Sequence, residues 1–256
     1  FDEKSRRVVF PDAYEKLDPN NIGGTKGKWR AFQMAFLLST VNSVADPEDA
    51  DRDIVELIWF PTGGGKTEAY LGLSAFSLLL RRMKDNDDTG TNILMRYTLR
   101  LLTTQQFLRA ARLICALELI RKDHPQELGT KEFSIGLWVG GNNTPNTREE
   151  AKKIYKGLEK GTKFIENKFV LDRCPWCSAQ IGPADEEQSK KSKFHLTGYY
   201  MVGNTIAFKC SDPACEFKSG LPVYVTDDEI YEKTPSMIIG TVERFAMLTW
   251  KPSARS

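Results

Sequence analysis

Phe60-Pro-Thr-Gly-Gly-Gly-Lys-Thr67 follows a short apolar run, Ile54 to Phe60, and leads into a stretch rich in Leu and Ala, Lys66 to Met83. The run has the length of a strand and the stretch has the length and composition of a helix, so the glycines fall at a strand-to-helix junction. Glycines there let successive backbone N–H groups approach phosphate oxygens without a Cβ clash. The helix adds its positive N-terminal end. Lys66 would neutralise the β- and γ-phosphates of a nucleotide, and the Thr67 hydroxyl would ligate Mg²⁺. Pro61, Thr62, Gly63, Gly64, Gly65, Lys66 and Thr67 are therefore the candidate phosphate-binding residues, with Lys66 and Thr67 the candidate catalytic pair. The general pattern G-x-x-x-x-G-K-[ST] asks for a small residue where this chain has Phe60, so the turn is expected to be shaped differently. The plain alternative is a Gly-rich turn with a coincidental lysine.

Working outward, Lys26 to Val44 has apolar residues at helical spacing. Ile93 to Thr98 reads as a strand, Thr103 to Arg121 as a helix, and Phe133 to Val139 as a strand closed by Gly140 and Gly141. Thr147 to Leu158 reads as a helix capped by Asn146 or Thr147, Ser236 to Gly240 as a strand, and Val242 to Trp250 as a helix. Alternating strands and helices predict an α/β fold, with a mostly parallel sheet and helices on both faces. The alternation breaks near Leu171. Cys174 to Pro222 carries paired cysteines, a polar loop and the β-prone stretches Leu196 to Val202 and Thr205 to Lys209.

The 256 residues carry 36 Lys and Arg against 34 Asp and Glu, a net charge of +2. That excludes a histone-like basic protein but permits a local basic face for nucleic acid. Basic residues cluster in Arg148 to Lys168 and Lys190 to Lys193, where a solvated face is the ordinary explanation. The start, Phe1 to Arg7, has no secretory pattern, and no run of about 18 apolar residues occurs. The expectation is a cytoplasmic chain with no membrane partner. Phe1 in place of Met points to a piece of something longer.

Four of the five cysteines form two close pairs, Cys174-Pro-Trp-Cys177 and Cys210-Ser-Asp-Pro-Ala-Cys215. Two turns that each offer two thiolates can close a tetrahedral Zn²⁺ site, and four thiolates leave no open position for water. The expectation is structural zinc on Cys174, Cys177, Cys210 and Cys215. A redox dithiol at Cys174 and Cys177 is the rival, His195 could replace a cysteine, and Cys115 reads as core.

The order Pro61-Thr-Gly-Gly-Gly-Lys-Thr67, Thr98-Leu-Arg100-Leu-Leu-Thr-Thr-Gln105, Gly140-Gly141 and Gly240-Thr-Val-Glu-Arg244-Phe245 resembles the first RecA-like domain of superfamily 2 helicases. There are departures: an extra residue stands between Thr98 and Arg100, and Val242 replaces a proline. More narrowly, Trp59 to Leu71, Tyr97 to Phe107 and Ile238 to Ala246 resemble the large helicase subunit of bacterial DISARM anti-phage defence systems, over roughly residues 27 to 250. This resemblance implies ATP and Mg²⁺ as cofactors. It implies DNA, in preference to RNA, as the nucleic-acid partner, and further proteins of a defence complex.

By the same resemblance Thr98, Arg100, Gln105, Gly140, Gly141, Thr241 and Arg244 would line the track of one strand. Backbone amides, hydroxyls and Arg are sequence-neutral phosphate ligands, which suits such a track. Each taken alone has a structural reading: Arg100 as a surface ion pair, Thr241 as a cap, Gln105 as a solvated residue. Gln33 resembles the upstream glutamine that reads adenine, and its amide offers a donor and an acceptor; a lone Gln on an amphipathic helix is otherwise merely exposed.

Leu221 to Ile230 superficially resembles a strand ending in an Asp-Glu box, but it precedes the Thr241/Arg244 element. Asp228 and Glu229 are therefore read as a decoy. By the resemblance, the true box and the second RecA-like domain lie beyond Ser256, and this chain alone would bind nucleotide weakly if at all and would not turn over ATP at a useful rate. The expected organisation is an extension (1–26), the first part of a RecA-like domain (27–170), a zinc-ribbon-like insert (171–222) and a return to the RecA-like domain (223–256). The alternative is a degenerate P-loop scaffold that binds nucleic acid or proteins without ATP turnover.

Overall fold

The computed structural model describes residues 28–61, 63–98, 100–162, 165–183, 196–246 and 250, the side chains of 100–102 excepted. The N-terminal extension, Thr62, the run Lys190–Lys193 and His195 lie outside the described residues.

Helix α1 spans Ala31–Ala45 and α2 spans Lys66–Lys84. Strand β1 (Ile93–Tyr97) precedes α3 (Arg100–Asp123), a single turn α4 (Pro125–Leu128), β2 (Ile135–Trp138) and α5 (Arg148–Glu159). The insert contributes β3 (Gly182–Pro183), β4 (Leu196–Thr197), β5 (Tyr199–Val202) and β6 (Thr205–Phe208). The chain returns through β7 (Val223–Tyr224), α6 (Asp227–Lys233), β8 (Met237–Thr241) and α7 (Val242–Ala246). No described helix is long and apolar enough to cross a membrane.

Four strands form a parallel sheet in the order β1-β8-β2-β7. Its two faces follow from the two-residue period of a strand. Ile135, Leu137 and Val139 enter one large core with Phe107, Ile114 and Leu117 of α3 and Ala151, Ile154 and Leu158 of α5. Trp138, between them, faces the other way and packs with Ile230 of α6 and Phe245 of α7. The same split separates Met237 and Ile239 from Ile238. Helices therefore cover both faces, as the alternation in sequence predicted.

The insert is not a separate bead. Phe169, Leu171, Ile181, Ile206, Phe208 and Phe217 belong to the same core as α3 and β2. Arg112 of α3 donates through Nε to the Pro175 carbonyl at 3.0 Å, and Lys122 lies over the Phe217 ring. The antiparallel pairs β3–β4 and β5–β6 thus brace the α/β layer.

One expected element differs. The run Ile54 to Phe60 forms no strand; it lies outside the sheet, with Val55, Leu57 and Trp59 each more than 80% exposed. Its apolar sequence satisfies the pattern of a buried strand, yet no described strand lies beside it to complete the ladder. Helix α6, absent from the sequence reading, takes the place of a strand end at Asp228-Glu229.

Candidate functional site

The glycine turn is built as its sequence demands. Gly63 and Gly65 have φ of 77° and 87°, the left-handed region that glycine enters without strain. Gly65 is the N-cap of α2, so the turn ends at the positive end of a 19-residue helix. Phe60, the departure from the general pattern, turns outward and stacks on Phe32 of α1, with ring centroids 4.0 Å apart. Its ring also explains Gly64: a Cβ there would come within 2.5 Å of Phe60 Cδ1. The Lys66 ammonium folds back onto the carbonyls of Phe60 and Pro61 at 2.5 and 3.1 Å. In that posture the loop's own oxygens hold the ammonium.

Helix α1 grips the turn from the side. Gln33 is buried, and its Nε2 donates to the Gly65 carbonyl at 2.7 Å while its Oε1 accepts from the Arg30 backbone N–H at 2.7 Å. Arg30 donates to the Gly64 carbonyl at 2.9 Å. Both ends of the Gln33 amide are therefore engaged within the chain, and what its geometry displays is a brace on the turn.

Gln33, Gly63, Gly64, Gly65, Lys66 and Thr67 line one cavity of about 900 Å³, at the upper end of the range for small-molecule sites. Pro61 lies behind it, accepting from Gly64 N–H at 3.2 Å. Sequence reasoning missed Lys28, Trp29, Arg30, Gln106 and Arg109, which share the wall. Arg30 and Gln33 stand one helical turn apart, as do Gln106 and Arg109, a spacing that could have grouped them. Arg109 also pairs with Glu68, the residue after Thr67, which ties α3 to the start of α2.

A second cavity, about 320 Å³, opens where β2 and β8 end and collects Gly140, Gly141, Thr241 and Arg244. Ligand clefts of open α/β sheets lie at the carboxyl ends of strands, and this one does too. Gly140 has φ of 91°, and Lys168 donates to the Gly141 carbonyl at 2.7 Å. Arg244 is held by Asp227 at 3.1 Å and by Asn146 Oδ1 at 2.7 Å. Thr98 follows β1, whose last residue, Tyr97, pairs in register with Thr241; Thr98 and Gln105 are exposed and stand outside this cavity. Arg100 opens α3, and its side chain lies outside the described residues.

Asp228 and Glu229 sit on α6, beyond β7 at the rim of the sheet opposite β1. Asp228 accepts the Arg148 backbone N–H at 3.0 Å and Glu229 accepts from Thr205, so both serve packing between elements. Burial raises the Glu229 carboxyl above the ordinary glutamate range.

The four cysteines converge. Their sulfurs all lie within 4.8 Å of one another, and Cys177 and Cys210 are 3.3 Å apart. A tetrahedron of sulfurs about 2.3 Å from a central zinc has edges near ~3.8 Å, so the cluster fits that ion with small adjustments. The turns fit as well: Ser178 has φ of 66°, and Asp212 accepts from Ala214 N–H to shape the longer second loop. Backbone N–H groups of Asp212 and Phe217 point at the sulfurs of Cys210 and Cys215 at 3.4 Å, the arrangement thiolates need. Hydrogen bonds from Cys210 and Cys215 pull the Cys174 thiol below its ordinary value. The hydrogen bond to Cys174 pushes Cys210 and Cys215 up, and burial pushes up Cys177. Cys115 is buried beside the cluster in the core, and burial raises its thiol.

No model of a known protein family matches the chain. It is 42% identical over 234 residues to DISARM protein DrmA of Bacillus paralicheniformis, an alignment that covers 87% of this chain and 20% of that protein. The chain thus spans about a fifth of the length of the curated relative it matches. The likeness accords with the narrower of the two resemblances carried by the sequence motifs.

Proposed function

We propose that this chain is the nucleotide-binding part of an ATP-driven superfamily 2 nucleic-acid motor that acts on DNA in defence against phage. The observation that carries the reading is the convergence of two independent residue sets. The glycine turn, Lys66 and Thr67 line one cavity; Gly140, Gly141, Thr241 and Arg244 line another at the carboxyl ends of the strands. Helix α3 starts just past β1 and lends Gln106 and Arg109 to the first cavity. Likeness to a DISARM protein supports the defence role.

In this reading the triphosphate of ATP lies along Gly63 to Thr67. Lys66 leaves the carbonyls of Phe60 and Pro61 for the outer phosphates, and the Thr67 hydroxyl would help hold Mg²⁺, whose charge offsets that of the phosphates when bound. Catalysis of phosphoryl transfer is mostly positioning and charge stabilisation, and these residues supply the positioning. Gln33 and Arg30 hold the turn in shape. The strand track at the second cavity needs no base-specific contacts, because glycine amides, a hydroxyl and a guanidinium bind phosphate whatever the sequence. Cys174, Cys177, Cys210 and Cys215 would hold a structural Zn²⁺ that fastens the insert to α3. Partner proteins of a defence complex remain part of the proposal.

The test is direct binding. A fluorescent ATP analogue with Mg²⁺ should bind the chain weakly, since half of the expected cleft lies outside it, and Lys66→Ala should weaken that binding at least tenfold further, since a lysine on phosphate is a charge-assisted contact. Labelled single-stranded DNA should bind and should be weakened by Arg244→Ala. Nucleotide affinity indifferent to Lys66 would sink the assignment.

A further inference from the structure

We propose that Asp227 and Asn146 are positioning residues for Arg244: they hold its guanidinium at the mouth of the second cavity, aimed to grip a backbone phosphate of a single nucleic-acid strand. The inference rests on the nucleic-acid reading of that cavity and extends it to residues that no motif marks.

Two stretches of chain, distant in sequence, meet on one guanidinium from three sides. Arg244 of α7 gives NH1 to Asp227 Oδ2 at 3.1 Å and NH2 to Asn146 Oδ1 at 2.7 Å. The third side is Gly140. A Cβ there would come within 2.7 Å of Arg244 NH2 and 2.9 Å of Nε, so the guanidinium lies against the glycine backbone. Asp227 is 7% exposed, in the first turn of α6, where the helix end favours its negative charge. The side chain of Arg244 is 23% exposed and lines the cavity. Arg carries five N–H donors in a fixed fork, so the two bonds to Asp227 and Asn146 leave donors for a phosphate.

Asp227 could act on a phosphate in two opposed ways. As a nearby anion it repels the ligand and competes for Arg244; as a clamp it fixes the aim of a long flexible side chain. The charge of Asp227 is offset by Arg244 itself at 3.1 Å, so little of it is left to repel a phosphate. Freezing an otherwise mobile arginine spares the ordering cost on binding. The second effect should win, with the clamp contributing roughly tenfold in affinity.

The probe is fluorescein-labelled oligothymidylate, titrated into the 256-residue chain across a salt series. Asp227→Asn keeps the shape of the side chain and removes its charge; Asn146→Ala attacks the clamp from the other side, without touching the buried carboxylate. Each should weaken binding about tenfold and flatten the salt dependence by about one phosphate contact. Adding Asp227→Asn to Arg244→Ala should cost nothing more. Tighter or unchanged binding in Asp227→Asn, or a loss that adds fully to that of Arg244→Ala, overturns the clamp. If Arg244→Ala alone leaves both affinity and salt dependence unchanged, the nucleic-acid reading of the cavity falls, and the clamp with it.

Discussion

Gln33 reaches across 32 positions of sequence to donate its side-chain amide to the carbonyl of Gly65, the residue that caps α2. The bond is 2.7 Å long and largely out of water, and it joins the first described helix to the turn that would hold phosphate. Removing it leaves the Gly65 carbonyl without this donor and opens a hole against the turn. Gln33→Ala should therefore cost about 1–3 kcal/mol of stability and weaken nucleotide binding by a similar free energy. Calorimetric unfolding and titration with the ATP analogue check the two halves separately. Full retention of both would show that α1 does not shape the loop.

Phe60 and Gly64 should behave as a coupled pair. A methyl group at Gly64 collides with the Phe60 ring, at 2.5 Å from Cδ1. Gly64→Ala alone should destabilise the chain and impair nucleotide binding. Phe60→Ala should restore part of the loss in the double variant, with an interaction energy of about 0.5–3 kcal/mol. Simple additivity in a thermal-melt cycle would show that the ring does not press on the loop.

Metal content and folding should be lost together. Elemental analysis should find about one zinc per chain, abolished by Cys174→Ser or Cys210→Ser. Because Phe208, Cys210 and Phe217 share a core with α3 and β2, the loss should reach the whole α/β layer. The thermal midpoint should fall by roughly 10 °C or more, in a single transition. A variant in which the insert melts while the sheet stays intact would contradict the shared core.

Glu229 supplies a pH signature. Burial lifts its carboxyl above the ordinary glutamate range, so the folded chain binds this proton more tightly than the unfolded chain. The group therefore stabilises the fold most in acid, and that contribution is lost as pH rises through the unfolded and then the folded value. Glu229→Gln retains an acceptor for Thr205 and never carries the buried charge. It should raise the midpoint at pH 8 by roughly 2–4 °C, and the gain should shrink as pH falls toward 4.5. A pH-independent difference would rule out the charge as its cause.

Much of this was legible in the chain itself. The glycines at 63 and 65 announce left-handed backbone, and the cysteine pairs announce two turns facing one point; both are local signals, and both appear in the structure. Strands β1, β2 and β8 were legible because they are apolar and end at polar or glycine residues. Ile54 to Phe60 misled for an instructive reason: periodicity reports what a segment could bury, whereas a ladder needs a neighbour. The clamp on Arg244 was invisible because Asn146, Asp227 and Arg244 meet only after the sheet has ordered its strands. Thr226-Asp-Asp-Glu229 reads equally well as a strand end or a helix start, and contacts with Arg148 and Thr205 accompany the second.

The bare ribbon from Ile54 to Phe60 has a consequence for handling. Five large apolar side chains on seven consecutive residues stand at 40–91% exposure, apolar surface that water tolerates poorly. An unshielded stretch of that kind invites docking between identical molecules, ribbon to ribbon, and crowding accelerates it. A dilute preparation should stay clear where a concentrated one clouds.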